Sequence, residues 1–156
     1  MAAEAHNIGL TGGCQCGAVR YRLDAKPRHG NVCHCRMCQK AGGAPFMVFA
    51  GVPNPAFVIT HGQLSTFASS EIAERGFCSA CGTPLTYRGL SAAHTSVTLG
   101  SLDDPNAVAP ETQLGVESQV TWLHSALSLP AIRSDDWLKS KKIADVGNHQ
   151  HPDHET

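Results

Sequence analysis

Seven cysteines fall into three short clusters: Cys14 and Cys16 as C-x-C, the triplet Cys33, Cys35 and Cys38, and Cys78 and Cys81 as C-x-x-C. Thiolates are soft, charged ligands that hold zinc at short range, and gaps of one or two residues let neighbouring sulfurs meet on one ion. A closed structural zinc takes four protein ligands, whereas a catalytic zinc commonly takes three and keeps a position open. Seven divides as four plus three, which predicts one closed site and one open site. A disulfide framework would favour an even count. Cysteines acting only as small buried hydrophobes would have no reason to cluster.

A C-x-x-C turn lets two sulfurs converge while the intervening amides hydrogen-bond them. A C-x-C pair on an extended segment does the same, since alternate side chains share a face. The half-sites Cys14/Cys16 and Cys78/Cys81 would combine into a four-cysteine site that ties distant segments together. Spacing also permits Cys35/Cys38 to join Cys78/Cys81, across a gap longer than zinc ribbons use. The triplet is self-contained and suits the three-ligand site. Alternation puts His34 on the other side of the chain from Cys33 and Cys35, in a packing or supporting role.

The elements that must position these clusters are mostly strands. Gly12-Gly13 reads as a tight turn before the first knuckle, and Val19, Tyr21 and Leu23 alternate with polar neighbours along a half-buried strand. Residues 32–35 read as extended, residues 36–40 as a helical turn ended by Gly42-Gly43, and residues 46–49 as an apolar strand. Phe57-Val58-Ile59 forms a strand that turns at His61-Gly62, with residues 64–67 as its hairpin partner. Short strands follow at residues 74–78, 84–87, around Val97 and Leu99, and at residues 113–116, before an anchor at Trp122-Leu123. The result is a mainly β protein with few short helices.

At 156 residues, with 42% hydrophobic and 16% charged, the chain suits one globular domain. Residues 1–132 read as the zinc-binding domain and residues 133–156 as a polar, flexible tail carrying His149, His151 and His154. Histidines there suggest an accessory metal site as the alternative. A formal net charge of −1 gives no general attraction to nucleic acid or acidic membranes. The longest apolar run, about residues 44–52, is too short to span a bilayer. Met1 to Asn7 lacks the basic and apolar regions of a signal peptide, so a reducing cytoplasmic setting is expected.

Three ordered segments carry a family resemblance: Gly13-Cys14-Gln15-Cys16-Gly17-Ala18-Val19-Arg20-Tyr21, Cys33-His34-Cys35-Arg36-Met37-Cys38-Gln39-Lys40, and Arg75-Gly76-Phe77-Cys78-Ser79-Ala80-Cys81-Gly82-Thr83-Pro84-Leu85. Together with Thr98-Leu99-Gly100-Ser101-Leu102-Asp103-Asp104-Pro105 and Trp122-Leu123, they resemble the glutathione-dependent formaldehyde-activating enzyme family, whose domain also occurs in centromere protein V. The likeness runs from about Gly12 to Pro130. It implies an Mss4-like fold, a β-tent of short antiparallel sheets organised by zinc knuckles. It also implies two zinc ions, a structural one on Cys14, Cys16, Cys78 and Cys81 and a labile one on Cys33, Cys35 and Cys38. The family's namesake activity is formation of S-(hydroxymethyl)glutathione from glutathione and formaldehyde, a carbon–sulfur lyase reaction.

The chemistry expected at the open zinc is capture of a substrate thiol as thiolate, followed by addition to an aldehyde carbon. Small-molecule thiol and aldehyde are therefore the expected partners. Gln39, Lys40 and Gly42 are candidate contacts for a glutathione-like ligand. Arg75 and Arg88 either offset thiolate charge or pair on the surface. Glu71 and Glu74 are surface carboxylates, with a general base as their alternative role. Tyr87 and Trp122 read as core or pocket wall. Three thiolate donors make zinc a weaker Lewis acid than three histidines would, which leaves a non-catalytic glutathione carrier or protein-interaction module as the competing reading.

Overall fold

Ten short strands form because the apolar residues alternate with polar ones between closely spaced turns. The computed structural model describes residues 9–154, so the Met1 to Asn7 segment lies outside the described residues. In chain order the elements that matter are β1 (Leu10–Gly13), β2 (Arg20–Leu23), β3 (Arg28–Cys33), α1 (Arg36–Gly42), β4 (Met47–Pro53) and β5 (Phe57–His61). They continue with β6 (Ser65–Ser70), β7 (Ala73–Phe77), β8 (Pro84–Gly89), β9 (His94–Thr98), β10 (Thr112–Leu114), α2 (Leu123–Ala126) and α3 (Ser134–Ser140).

The strands make a small sheet of order β1-β2-β5 and a large one of order β10-β3-β4-β9-β8-β7-β6. All pairings are antiparallel except β10 against β3, which is parallel. One core joins the sheets: Tyr21 and Leu23 of β2 cluster with Ala50 and Val52 of β4, Leu85 of β8 and Val97 of β9. These six are fully buried. At about 1.5–3 kcal/mol per buried large apolar side chain, this shared core is what holds the two sheets together.

Two expectations are corrected here. Gly12 and Gly13 belong to β1, opposite Tyr21 and Arg20, instead of forming a turn. A side chain at Gly12 would meet the Tyr21 ring at 2.6 Å, so the residue is small to let that ring into the core. The hairpin of residues 57–59 with 64–67 does not form: β5 pairs with β2 in the small sheet and β6 with β7 in the large one. Gly62 redirects the chain between the sheets, with φ of +70° and a position where a Cβ would stand 1.8 Å from the Ala18 carbonyl oxygen.

Beyond β10 the chain is largely exposed. After α3 it returns to the body, where the His151 amide donates to the Gln15 carbonyl at 2.7 Å and Arg20 donates to the His154 carbonyl at 2.9 Å. The His151 ring lies over Gly17. No helix among the described residues is long and apolar enough to cross a membrane.

Candidate metal centres and substrate cavity

The first knuckle forms where β1 turns into β2. The Cys14 amide donates to the Val19 carbonyl at 3.0 Å, the Gly17 amide to the Cys14 carbonyl at 3.1 Å, and the Val19 amide to Cys14 Sγ at 3.2 Å. The second knuckle closes between β7 and β8, through Cys78 amide to Thr83 carbonyl at 3.0 Å and Gly82 amide to Cys78 carbonyl at 2.8 Å. Together they bring the sulfurs of Cys14, Cys16, Cys78 and Cys81 within 4.8 Å of one another. Cys14 and Cys16 are 3.6 Å apart, and Cys16 and Cys78 are 3.9 Å apart. A tetrahedral zinc with bonds of about 2.3 Å needs sulfur separations of about 3.8 Å. The donor set and its spacing fit that ion, and no pair approaches the roughly 2.05 Å of a disulfide.

The triplet is assembled at the other end of β3. The strand delivers Cys33, Cys35 caps α1 with its sulfur accepting the Cys38 amide at 3.4 Å, and Cys38 follows in the first turn. Its three sulfurs also lie within 4.8 Å of one another, with Cys33 and Cys35 at 3.4 Å. This donor set fits a three-thiolate zinc. All three of its cysteines line a cavity of about 320 Å³ walled by Phe49, Arg75, Tyr87, His94 and Ser96, whereas of the four-cysteine set only Cys14 borders a cavity, of about 130 Å³.

Protons are unevenly held within both sets. Burial pushes the Cys14 and Cys33 thiols up to about 12. Burial also opposes ionisation at Cys81, yet hydrogen bonds from Thr83 and Cys16 outweigh it and bring that thiol down to about 6. At Cys35 burial is likewise outweighed, chiefly by the Cys38 amide and the Cys33 and Cys38 side chains, which hold the thiol below its usual range. Metal ligation requires thiolates, and each set contains one thiol that gives up its proton more readily than an ordinary cysteine.

Arg75 answers a question the sequence leaves open. It is 7% exposed, and among the described residues no carboxylate pairs with it. Its guanidinium instead donates to Cys38 Sγ at 3.3 Å and to Ser69 Oγ at 3.0 Å, and stacks 5.0 Å from the Tyr87 ring centre. A buried cation without an acid needs another anion, and the triplet supplies it. Arg88, by contrast, pairs with Glu74 at 2.6 Å near the surface, and neither residue lines the cavity of the triplet. Glu71 is exposed in the turn after β6.

The three candidate ligand contacts separate. Gln39 is buried, and its amide donates to the His34 carbonyl at 2.7 Å and the Ser118 carbonyl at 2.9 Å while its oxygen accepts from Arg36. Its polar atoms brace α1 and do not face the cavity. Gly42 packs under Met47, where a side chain would meet Cγ at 2.8 Å. Lys40 is exposed and borders a neighbouring hollow beside Met37, Phe67 and Arg75. Trp122, expected in the core or pocket wall, is 55% exposed at the start of α2. Tyr87 does wall the cavity. The tail histidines form no further metal-ligand cluster among the described residues.

The sequence also hid the triplet's supports. The His34 amide donates to the Leu114 carbonyl of β10 at 2.8 Å, and His34 Nε2 lies 2.9 Å from Gln113 Oε1. Gly115, at φ of +65°, sits so close to Cys35 that a Cβ there would stand 2.7 Å from the Cys35 amide nitrogen. A run of Gln113, Leu114 and Gly115 carries no spacing signal that would point eighty residues back.

Comparison with known proteins places this geometry in context. The family model for glutathione-dependent formaldehyde-activating enzyme matches residues 9–118. An uncharacterized lyase of Schizosaccharomyces pombe is 34% identical over 76 residues, covering 49% of this chain and 55% of that protein. A Halomonas elongata protein with the provisional name glutathione-dependent formaldehyde-activating enzyme is 33% identical over 84 residues, covering 49% and 54% respectively. The chain thus spans about half the length of these curated relatives. A crystal structure of a Rhodobacter sphaeroides protein superposes with a TM-score of 0.52 at 19% identity, over 66% of this chain and 98% of the other, a likeness of fold.

Proposed function

This chain belongs to the glutathione-dependent formaldehyde-activating enzyme family, and from that membership we propose that it is a zinc-dependent carbon–sulfur lyase-type enzyme joining a glutathione-like thiol to formaldehyde or another small aldehyde. The observation that carries this reading is the open triplet, with Cys33, Cys35 and Cys38 facing a cavity whose wall holds a buried, acid-free Arg75. In this reading Cys14, Cys16, Cys78 and Cys81 hold a structural zinc within a unit of residues 1–132, with residues 133–156 as an appended segment.

Cys33, Cys35 and Cys38 would hold the zinc, which when bound would supply Lewis acidity and lower the pKa of a thiol beside it. The rest is the work of the chain. Arg75 balances the negative charge gathered at the triplet, and the rings of Phe49 and Tyr87, 6.3 Å apart, keep water from one side of the cavity. The new bond joins sulfur to the aldehyde carbon, and the thiol proton ends on the former carbonyl oxygen. His94, whose ring lies over Gly51 at the cavity edge, is the imidazole placed to carry that proton.

The test is turnover of glutathione with formaldehyde by zinc-loaded protein, beside Cys35→Ser and a metal count. Two zinc ions per chain, falling to one with loss of turnover in Cys35→Ser, is the expected result. Unchanged turnover in that variant refutes the assignment. Thiol binding with no turnover in either protein leaves a carrier and removes the enzyme.

A further inference from the structure

A second cavity, of about 600 Å³, opens beside the first and shares Asn31, His94 and Ser96 with it. The two form one groove, running from the triplet along β3 and β9 towards the start of β3. The far end is cationic. Lys26, Arg28 and His29 line it, with His94 at the junction, and no acidic residue contributes to the lining. Among the described residues neither Lys26 nor Arg28 has an ion-pair partner, although the neighbouring Arg22 pairs with Asp24 at 2.6 Å.

The backbone is shaped to gather these groups. A regular strand would turn Arg28 and His29 to opposite faces. Here three steps along β3, from Arg28 to Asn31, are matched by two along β4, from Gly51 to Phe49. That extra residue is a β-bulge, a device that re-aims side chains and is common beside functional sites. His29 takes it up with φ of +55°, a conformation unfavourable for a residue with a Cβ. The outcome is that Arg28, His29 and Asn31 all reach the same cleft.

We infer that this cleft is an anion subsite, in which Lys26, Arg28 and His29 receive the carboxylate of the thiol substrate that lies farthest from its sulfur. The inference rests on the reading of the triplet as the thiol site. From Cys33 to Arg28 the bulged strand spans the four steps of β4 from Met47 to Gly51, about 13 Å at about 3.3 Å per residue. An extended tripeptide covers about 10 Å of that, and the long side chains of Lys26 and Arg28 reach into the remainder. With a chain charge of −1 and only Lys26 and Arg28 as fixed cations in the cleft, a small acid fits this groove better than a polyanion.

Calorimetric titration with γ-glutamyl-alanyl-glycine, which has the peptide and both carboxylates but no sulfur, tests the cleft apart from the metal. Its diester and glutathione serve as companions. The expected result is binding to the wild-type protein, at least tenfold weaker for the diester, for Lys26→Gln/Arg28→Gln, and at high salt. Both side chains are exposed, and an unchanged unfolding temperature confirms that the variant folds. Equal binding of the tripeptide by wild type and variant, or none by either, overturns the subsite. If glutathione then still binds in a Cys35-dependent manner, the thiol site stands without it. If glutathione binding is indifferent to Cys35→Ser while the tripeptide still needs Lys26 and Arg28, the cleft stands and the thiol site falls.

Discussion

Replacing Arg75 with methionine separates its service to the metal from its burden on the fold. The guanidinium nitrogen stands 3.3 Å from Cys38 Sγ. Against a thiolate, that separation corresponds to a gross attraction of about 5 kcal/mol at an effective dielectric of about 20. Net of the water each group gives up, a hydrogen bond to a charged partner contributes about 1.5–3 kcal/mol. Zinc at the triplet should therefore bind roughly 10- to 150-fold more weakly in Arg75→Met. The stripped protein should respond in the opposite sense. Without a metal to gather three thiolates the buried guanidinium has less counter-charge, and an apolar side chain of similar length is neutral or stabilising, by about 1–4 kcal/mol. Chelator competition followed by native mass spectrometry reads the first effect, and urea unfolding in chelator reads the second. Equal zinc affinity in both proteins refutes the electrostatic role. So does a loss of several kcal/mol in the stripped variant, which would mean that Arg75 serves packing. Arg75→Lys, keeping charge but not the fork, should fall between.

Asp103 governs acid stability. Burial pushes its carboxyl up, but hydrogen bonds from Arg20 and Thr11 and the guanidinium charge outweigh this and hold it below the ordinary carboxylate range. A depressed folded-state pKa means the stabilisation is complete above about pH 4 and is lost as pH falls through the folded value. Asp103→Asn, which leaves Arg20 at 4% exposure without its anion, should cost about 3–5 kcal/mol at neutral pH and flatten the acid limb of the stability curve. An acid limb as steep as wild type in urea unfolding would show that the pair is not responsible. Gly115→Ala should cost about 1–2 kcal/mol for its left-handed backbone alone. By pressing on Cys35 it should also lower the zinc content from two to one per chain while the four-cysteine site stays loaded. Full retention of both ions would mean that β10 does not shape the triplet.

Much of this site was legible because cysteine spacing is a local signal. The knuckles around Cys14/Cys16 and Cys78/Cys81, the run Cys33 to Cys38 and the inward turn of His34 all follow from alternation and tight turns. What was hidden depends on which distant segments meet. Phe57 to Phe67 looks like a hairpin from composition, and only the packing of Gly62 on Ala18 shows that its strands belong to different sheets. Arg75 carries no mark distinguishing it from Arg88, since each sits on a strand beside polar neighbours and only the register of β7 and β8 decides which is buried. Gln39 looked available for ligand because it adjoins Cys38, but α1 turns it towards Ser118. The bulge at His29 leaves no trace in side-chain alternation.

The parallel pairing of β10 with β3 bears on how the protein comes to be made. Cys33, Cys35 and Cys38 leave the ribosome together, yet their frame includes Gln113, Leu114, Gly115 and Ser118, which are synthesised some eighty residues later. At about 5–20 residues per second, that gap leaves the three thiols exposed for roughly four to sixteen seconds before their loop is clamped. The four-cysteine set has a shorter wait, ending when Cys81 appears. Metal should therefore settle first at the knuckles and last at the triplet, so the reactive centre is completed only after the scaffold that shields it.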